Sequence, residues 1–155
     1  MSGRIDARLK ELGLELPQPA APIANYVGYT ASGNLVTVSG QICIWGGTLR
    51  YVGKLGAGIS IVDGQQAARL CALNVLAQVK AAAGGDLDRV KRVLRVGGFV
   101  NCTPDFTDMP QVVNGASDLM VEVFGDAGRH ARAAVGVSSL PGGVAVEIEA
   151  TVELG

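Results

Sequence analysis

The stretch from Val62 to Ala83 carries only three charged residues, Asp63, Arg69 and Lys80. Ala67, Cys71, Val75 and Val79 recur at one-turn spacing, and Leu70, Leu73 and Leu76 broaden their stripe. Gly84-Gly85 supplies a left-handed stop. This pattern predicts a long helix with a wide apolar face, and such a face has to be buried against other elements.

The segments around it predict what it packs on. Residues 25–30 (NYVGYT) and 35–42 (LVTVSGQI) read as two strands, and Ala31-Ser32-Gly33-Asn34 between them has hairpin chemistry. Gly46-Gly47 and residues 53–58 (GKLGAG) read as a long flexible loop before the helix. A third strand is expected over 91–101, with Gly97-Gly98 as a bulge. A second helix starts near Asp108, where Pro110 suits the first turn. Val112, Val113, Ala116, Leu119, Met120 and Val123 form its buried face, and Gly125 ends it. Two strands follow, over 133–137 and 144–153, joined by Leu140-Pro141-Gly142-Gly143. The last alternates strictly: Val146, Ile148, Ala150 and Val152 on one face, Glu147, Glu149, Thr151 and Glu153 on the other.

The order ββ, helix, β, helix, ββ predicts an α+β fold in which one mixed sheet carries two helices on one face. The other face needs a cover, and partner subunits are the expected one. At the N-terminus, Ser2 reads as a cap for a short helix with Ile5, Leu9 and Leu12 in a stripe, stopped by Gly13. Pro17, Pro19 and Pro22 then enforce an extended connector. Residues 1–22 thus read as an appendage to a single domain spanning 23–155.

Composition excludes several classes of function. With 48% apolar and 17% charged residues, disorder is excluded for the bulk of the chain. With 13 Lys+Arg against 14 Asp+Glu the net charge is -1, which argues against binding nucleic acid by phosphate neutralisation. Cys43, Cys71 and Cys102 lack CxxC spacing and there is one histidine, so no structural metal site is expected. The N-terminus has charges where a signal peptide needs an apolar run. No stretch approaches the ~18 apolar residues of a membrane span. The cytoplasm is the expected compartment. Neither GxxxxGK[ST] nor GxGxxG occurs, so nucleotide binding has no motif behind it.

Several residues could carry chemistry. Arg132, beside a buried-looking strand, could present a fixed fork to a carboxylate, although local sequence alone favours an ion pair. Glu147 on the last strand could orient or activate a water, or belong to a solvated face with Glu149 and Glu153. Tyr26 and Ser39 place hydroxyls on the first hairpin. Asn114, near the start of the second helix, reads most simply as a cap for a neighbouring loop. The three cysteines read as small core residues rather than nucleophiles. His130, next to Arg132, is weak evidence for acid–base work. Trp45 in its Gly-flanked loop reads as a lid over a pocket or an interface plug.

Together these residues resemble a known family. Ala131-Arg132-Ala133-Ala134-Val135, Leu140-Pro141 and Val146-Glu147-Ile148-Glu149-Ala150 are similar, with no gap in spacing, to the signature of the Rid (YjgF-type) reactive-intermediate deaminases, formerly labelled endoribonuclease L-PSP. Val38-Ser39-Gly40-Gln41-Ile42, Ala82-Ala83-Gly84, Leu87-Asp88-Arg89-Val90 and Val113-Asn114 extend the resemblance over about 23–154. It implies a chorismate-mutase-like fold and a homotrimer with clefts between subunits. It also implies hydrolysis of 2-imino or 2-enamino acids to 2-oxo acids and ammonia, without cofactor or metal. Arg132 then matches the carboxylate-gripping arginine and Glu147 the glutamate that positions water. Tyr26, Ser39 and Asn114 match the remaining pocket positions, and Ser39-Gly40 would lend mainly backbone contacts.

The chain departs from that pattern in places. His130 stands where the family usually has proline, and Ala134 where it often has cysteine. The loops 43–47 and 101–106 are unusual. These departures motivate an alternative, a regulatory trimer binding a small carboxylate without chemistry. Ribonuclease activity has the net charge and the single histidine against it.

Overall fold

The computed structural model describes residues 3–21 and 24–155. The helix over Arg4–Glu11 (α1) is followed by a hairpin of Tyr29–Ser32 (β1) and Leu35–Ile42 (β2). Four two-residue strands come next: Ile44–Trp45 (β3), Thr48–Leu49 (β4), Lys54–Leu55 (β5) and Gly58–Ile59 (β6). The long helix spans Ile61–Ala82 (α2), the third long strand Val90–Asn101 (β7) and the next helix Met109–Phe124 (α3). Ala131–Val137 (β8) and Val146–Leu154 (β9) complete the chain.

The main sheet runs β1-β2-β9-β7-β8, antiparallel except for the parallel pair β7–β8. It is therefore a mixed sheet in an α+β fold. Helices α2 and α3 pack side by side on one face, α2 over β2 and β9, α3 over β7 and β8. Strand β9 sits at the centre. Its even-numbered residues are fully buried towards the helices, and its odd-numbered ones are half-buried on the opposite face. The expected buried face of α3 is buried in full.

Ser2, expected to cap α1, lies outside the described residues, as do Pro22 and Ile23. The Asp88 carboxylate accepts hydrogen bonds from Arg4 N (2.9 Å) and Ile5 N (2.8 Å) instead. It thereby takes two N–H groups that the first turn leaves unpaired. Ile5 and Leu9 enter the same core cluster as the sheet and the other helices.

Three details differ from expectation. The first strand begins at Tyr29 rather than residue 25, because Ser39 takes the preceding backbone out of the ladder. Its Oγ donates to Val27 O (2.6 Å) and its N–H to Gly28 O (2.9 Å). This happens where the β2–β9 register shifts, between Val38 and Gln41. Gly97-Gly98 is not a bulge: its pairing is regular on both sides, and the shifts of β7 fall between Val90 and Arg92 and between Val93 and Arg95. Gly98 is needed instead for close approach, since a Cβ there would lie 2.5 Å from Val113 Cγ2 on α3. The expected loop is not loop alone: β3 and β4 form a hairpin across Gly46-Gly47, and β5 and β6 form a short parallel pair. Gly46 (φ 57°) and Gly47 (φ 79°) supply the two positive φ angles of the hairpin's tight turn.

Candidate active site

Glu147 stands at the centre of the sheet face opposite the helices, paired with Ile42 of β2 and Phe99 of β7. Its carboxylate lies over Gly40, where a Cβ would overlap Glu147 Oε2. A larger residue there would push the carboxylate out of this position. A cleft of about 600 Å³ opens at this point, lined by Ala20, Ala21, Tyr26, Gly28, Gly40 and Glu147. Burial, and after it the charge of Glu149, raises the Glu147 carboxyl above its ordinary 4.5. A carboxylate part-way out of water, facing an open cleft, is suited to accept a proton.

Buried amides behind the cleft fix its walls. Gln78 of α2 donates from Nε2 to Ala20 O (3.1 Å), holding the N-terminal connector against the cleft. A Cβ on Gly28 would overlap Gln78 Oε1, so the same amide backs the loop after Tyr26. Asn74 Nδ2 donates to Ile44 O (2.9 Å) and fixes β3 as the chain leaves β2. Ser39 spends its hydroxyl on Val27 O, so it shapes the Tyr26 loop through the backbone. Cys43, Cys71 and Cys102 are free and buried. Cys71 Sγ donates to Val146 O (3.3 Å), immediately beneath Glu147. The neighbouring Cys71 thiol is the chief cause that lowers the Cys43 thiol to about 7, and burial pushes Cys71 up.

Arg132 is not in this cleft. On edge strand β8 it pairs with Val96, and Val96 pairs with Ala150. Both of those side chains are buried towards the helices. Side chains in one such row share a face. The Arg132 guanidinium therefore turns towards α3, where Nη1 donates to Ser117 Oγ (3.1 Å) and Nη2 to Pro110 O (3.1 Å). Asn114 is exposed on α3. It lies four residues after Pro110 and three before Ser117, which puts it on the helix face that meets the guanidinium. The six expected site residues thus fall into two groups. Tyr26, Ser39, Gly40 and Glu147 gather at the β2–β9 cleft, and Asn114 and Arg132 at the α3–β8 edge.

Reasoning from the sequence passed over Gln78, Asn74 and Ser117. For Ser117 a signal existed, because it lies one turn beyond Asn114. For the two amides the only sign was a polar residue within the apolar stripe of α2. Among the described residues no group of three or more His, Cys, Asp or Glu side chains comes together. No helix among them is long and apolar enough to cross a membrane.

Comparison with known proteins places this geometry. A family model described as "YjgF/chorismate_mutase-like, putative endoribonuclease" matches residues 6–146. Protein TCP17 of Trypanosoma cruzi is 54% identical over 156 residues, spanning 99% of this chain and 96% of that protein. The crystal structure of Atu1372 from Agrobacterium tumefaciens superposes with a TM-score of 0.90 at 50% identity, covering 97% of this chain and 93% of that one. Escherichia coli TdcF, whose crystal structure contains bound serine, superposes with a TM-score of 0.64 at 26% identity over 90% of this chain and 94% of its own. With a family model over residues 6–146 and relatives at 50% identity or more across almost the whole of both chains, the chain belongs to the YjgF/chorismate-mutase-like family.

Proposed function

We propose that this protein is an enamine/imine deaminase that hydrolyses 2-imino acids to 2-oxo acids and ammonia, in clefts between the subunits of a homotrimer. The observation that carries this reading is the separation of Arg132 and Glu147. Each sits in half a site, on opposite faces of one sheet. The halves come together when the α3–β8 edge of one copy meets the β2–β9 cleft of another.

The chemistry follows from the two halves. The substrate is planar and anionic. Arg132 takes its carboxylate in a two-point grip, with the Asn114 amide beside it, and so fixes the plane of the C=N group. Glu147 accepts a proton from water as the water oxygen attacks the imine carbon. The C=N π electrons move to nitrogen, which is protonated, giving a carbinolamine. The C–N bond then breaks, ammonia leaves with the second proton, and the hydroxyl becomes the 2-oxo group. The imine carbon is already electrophilic, so a placed water and a proton acceptor are sufficient and neither cofactor nor metal is invoked. Bound serine in TdcF supports a small, carboxylate-bearing ligand. It fits equally a trimer that binds such a ligand without turning it over. Three free cysteines suit a reducing compartment, and we place the protein in the cytoplasm.

The test is release of ammonia and 2-oxo acid from enzymatically generated 2-iminopropanoate, with wild type and Arg132→Ala in parallel. Acceleration by wild type alone is expected. An active Arg132→Ala protein overturns the assignment. Ligand-dependent melting shifts without turnover select the binding reading.

A further inference from the structure

The Arg132 guanidinium belongs to a chain of hydrogen bonds that ends on a rigid backbone carbonyl. His130 Nδ1 lies 2.6 Å from Gly128 O, and His130 Nε2 lies 2.8 Å from Ser117 Oγ. Ser117 Oγ in turn accepts from Arg132 Nη1 at 3.1 Å.

The direction of each bond follows from what each atom can do. A carbonyl oxygen only accepts, so His130 Nδ1 carries a hydrogen. In the neutral ring Nε2 then has only its lone pair, so the Ser117 hydroxyl must donate to it. With that hydrogen committed, a Ser117 lone pair is turned to Arg132. Reversing either the ring or the hydroxyl breaks a link. The anchor is fixed as well. Gly128 is buried, and a Cβ on it would overlap Met120 O of α3, so the turn that presents its carbonyl is packed against the helix backbone.

We infer that Ser117 and His130 are positioning residues for the carboxylate-binding guanidinium: together they set the rotation of Arg132 before a ligand arrives. The inference deepens the function proposed above and rests on Arg132 as carboxylate anchor. Arginine has four flexible torsions, and on an exposed edge strand its fork would sample many directions. Bonds to Ser117 Oγ and Pro110 O hold one N–H of each terminal nitrogen. Among the described residues nothing takes the Nε–H or the second N–H of either terminal nitrogen. These remain for a carboxylate, and a fork already oriented loses less freedom on binding it. His130 thus takes the Ser117 hydrogen, which a proline side chain at that position could not, and so fixes the orientation of the hydroxyl oxygen that Arg132 meets.

The chain has one histidine, so a long-range proton–nitrogen correlation spectrum reports on His130 alone. The expected wild-type pattern is a protonated Nδ1 and an unprotonated Nε2. Ser117→Ala is expected to shift the Nε2 resonance and weaken binding of pyruvate, a non-reacting 2-oxo acid, about five- to tenfold. It should raise KM for 2-iminopropanoate by a similar factor with kcat nearly unchanged. Ser117→Thr, which keeps the hydroxyl, should restore both. His130→Gln, whose amide oxygen can accept the same hydrogen bond, should bind pyruvate more tightly than His130→Leu. An imidazole protonated at Nε2 in the wild type overturns the inference. So does wild-type pyruvate affinity in Ser117→Ala, or a wild type that binds no pyruvate. A wild type with no imine turnover, whose pyruvate binding still weakens in Ser117→Ala, removes the deaminase reading and supports the positioning role.

Discussion

Arg132 and Glu147 project from opposite faces of the same sheet, on strands that flank β7. The Arg132 row reaches Val96 and Ala150, beneath the helices. The Glu147 row reaches Phe99 and Val135, on the face the helices leave open. No side-chain rotation within one chain brings the two groups to a common substrate.

This separation predicts complementation between two dead variants. Arg132→Ala and Glu147→Gln proteins should each be inactive. Unfolded together and refolded as an equal mixture, they should regain about a quarter of wild-type activity, because in the proposed trimer each site draws one half from each of two neighbouring copies. Absence of recovery in mixed trimers, verified by native mass spectrometry, would show that the site is not shared in this way.

Glu147 fixes a pH dependence. Its carboxyl is raised by burial first and by Glu149 second, so it takes up its proton at a higher pH than a free glutamate. Deaminase activity that needs the carboxylate should therefore fall on the acid side, with a midpoint above 4.5. Glu149→Gln removes the lesser cause and should move that limb to lower pH. A kcat profile from pH 4 to 8 reads the shift, and an unmoved limb would remove Glu147 as the proton acceptor.

The same shift has a consequence for stability. A carboxyl whose folded pKa is raised favours folding once protonated and opposes it while ionised. Glu147→Gln should thus abolish turnover and raise Tm at pH 7 by about 1–4 °C. The gain should shrink as pH falls through the folded pKa of Glu147. Thermal melts at pH 7 and pH 4 test the sign, and a lower Tm at pH 7 would contradict it.

Gly115 should be sensitive to a single methyl group. A Cβ there would overlap the backbone carbonyl oxygen of Gln65 where α3 crosses α2. A carbonyl within a packed helix has little room to move, so Gly115→Ala should cost roughly 1–3 kcal/mol. Urea unfolding should show a lower midpoint with an unchanged slope. Because Asn114 is adjacent, activity should fall in parallel.

The N-terminal connector should shape ligand choice. Ala20 and Ala21 line the Glu147 cleft, held by the Gln78 amide. Ala20→Trp should fill part of that space and raise KM for branched 2-imino acids by about tenfold, with little change in Tm. Unchanged KM across substrates of different size would exclude the connector as a wall.

Local pattern gave the elements of this fold. The broad stripe of α2, the buried face of α3 and the alternation of β9 each lie within one segment, where side-chain direction repeats with the backbone. The β8–β9 signature likewise carried family membership, because its residues keep a fixed spacing. Other features depended on residues far apart in the chain. Asp88 caps α1, Ser39 draws residues 27–28 out of the hairpin, and Gly98 makes room for Val113 rather than bending a strand. The sequence named Arg132 and Glu147, but it could not show that they face apart. That depends on strand order and register, which place β8 beside β7 and turn Arg132 towards the helices. The contact of Ser117 with His130 and Arg132 was decided the same way: it exists only because α3 lies across β8, and no local period encodes which polar atoms such a crossing brings together.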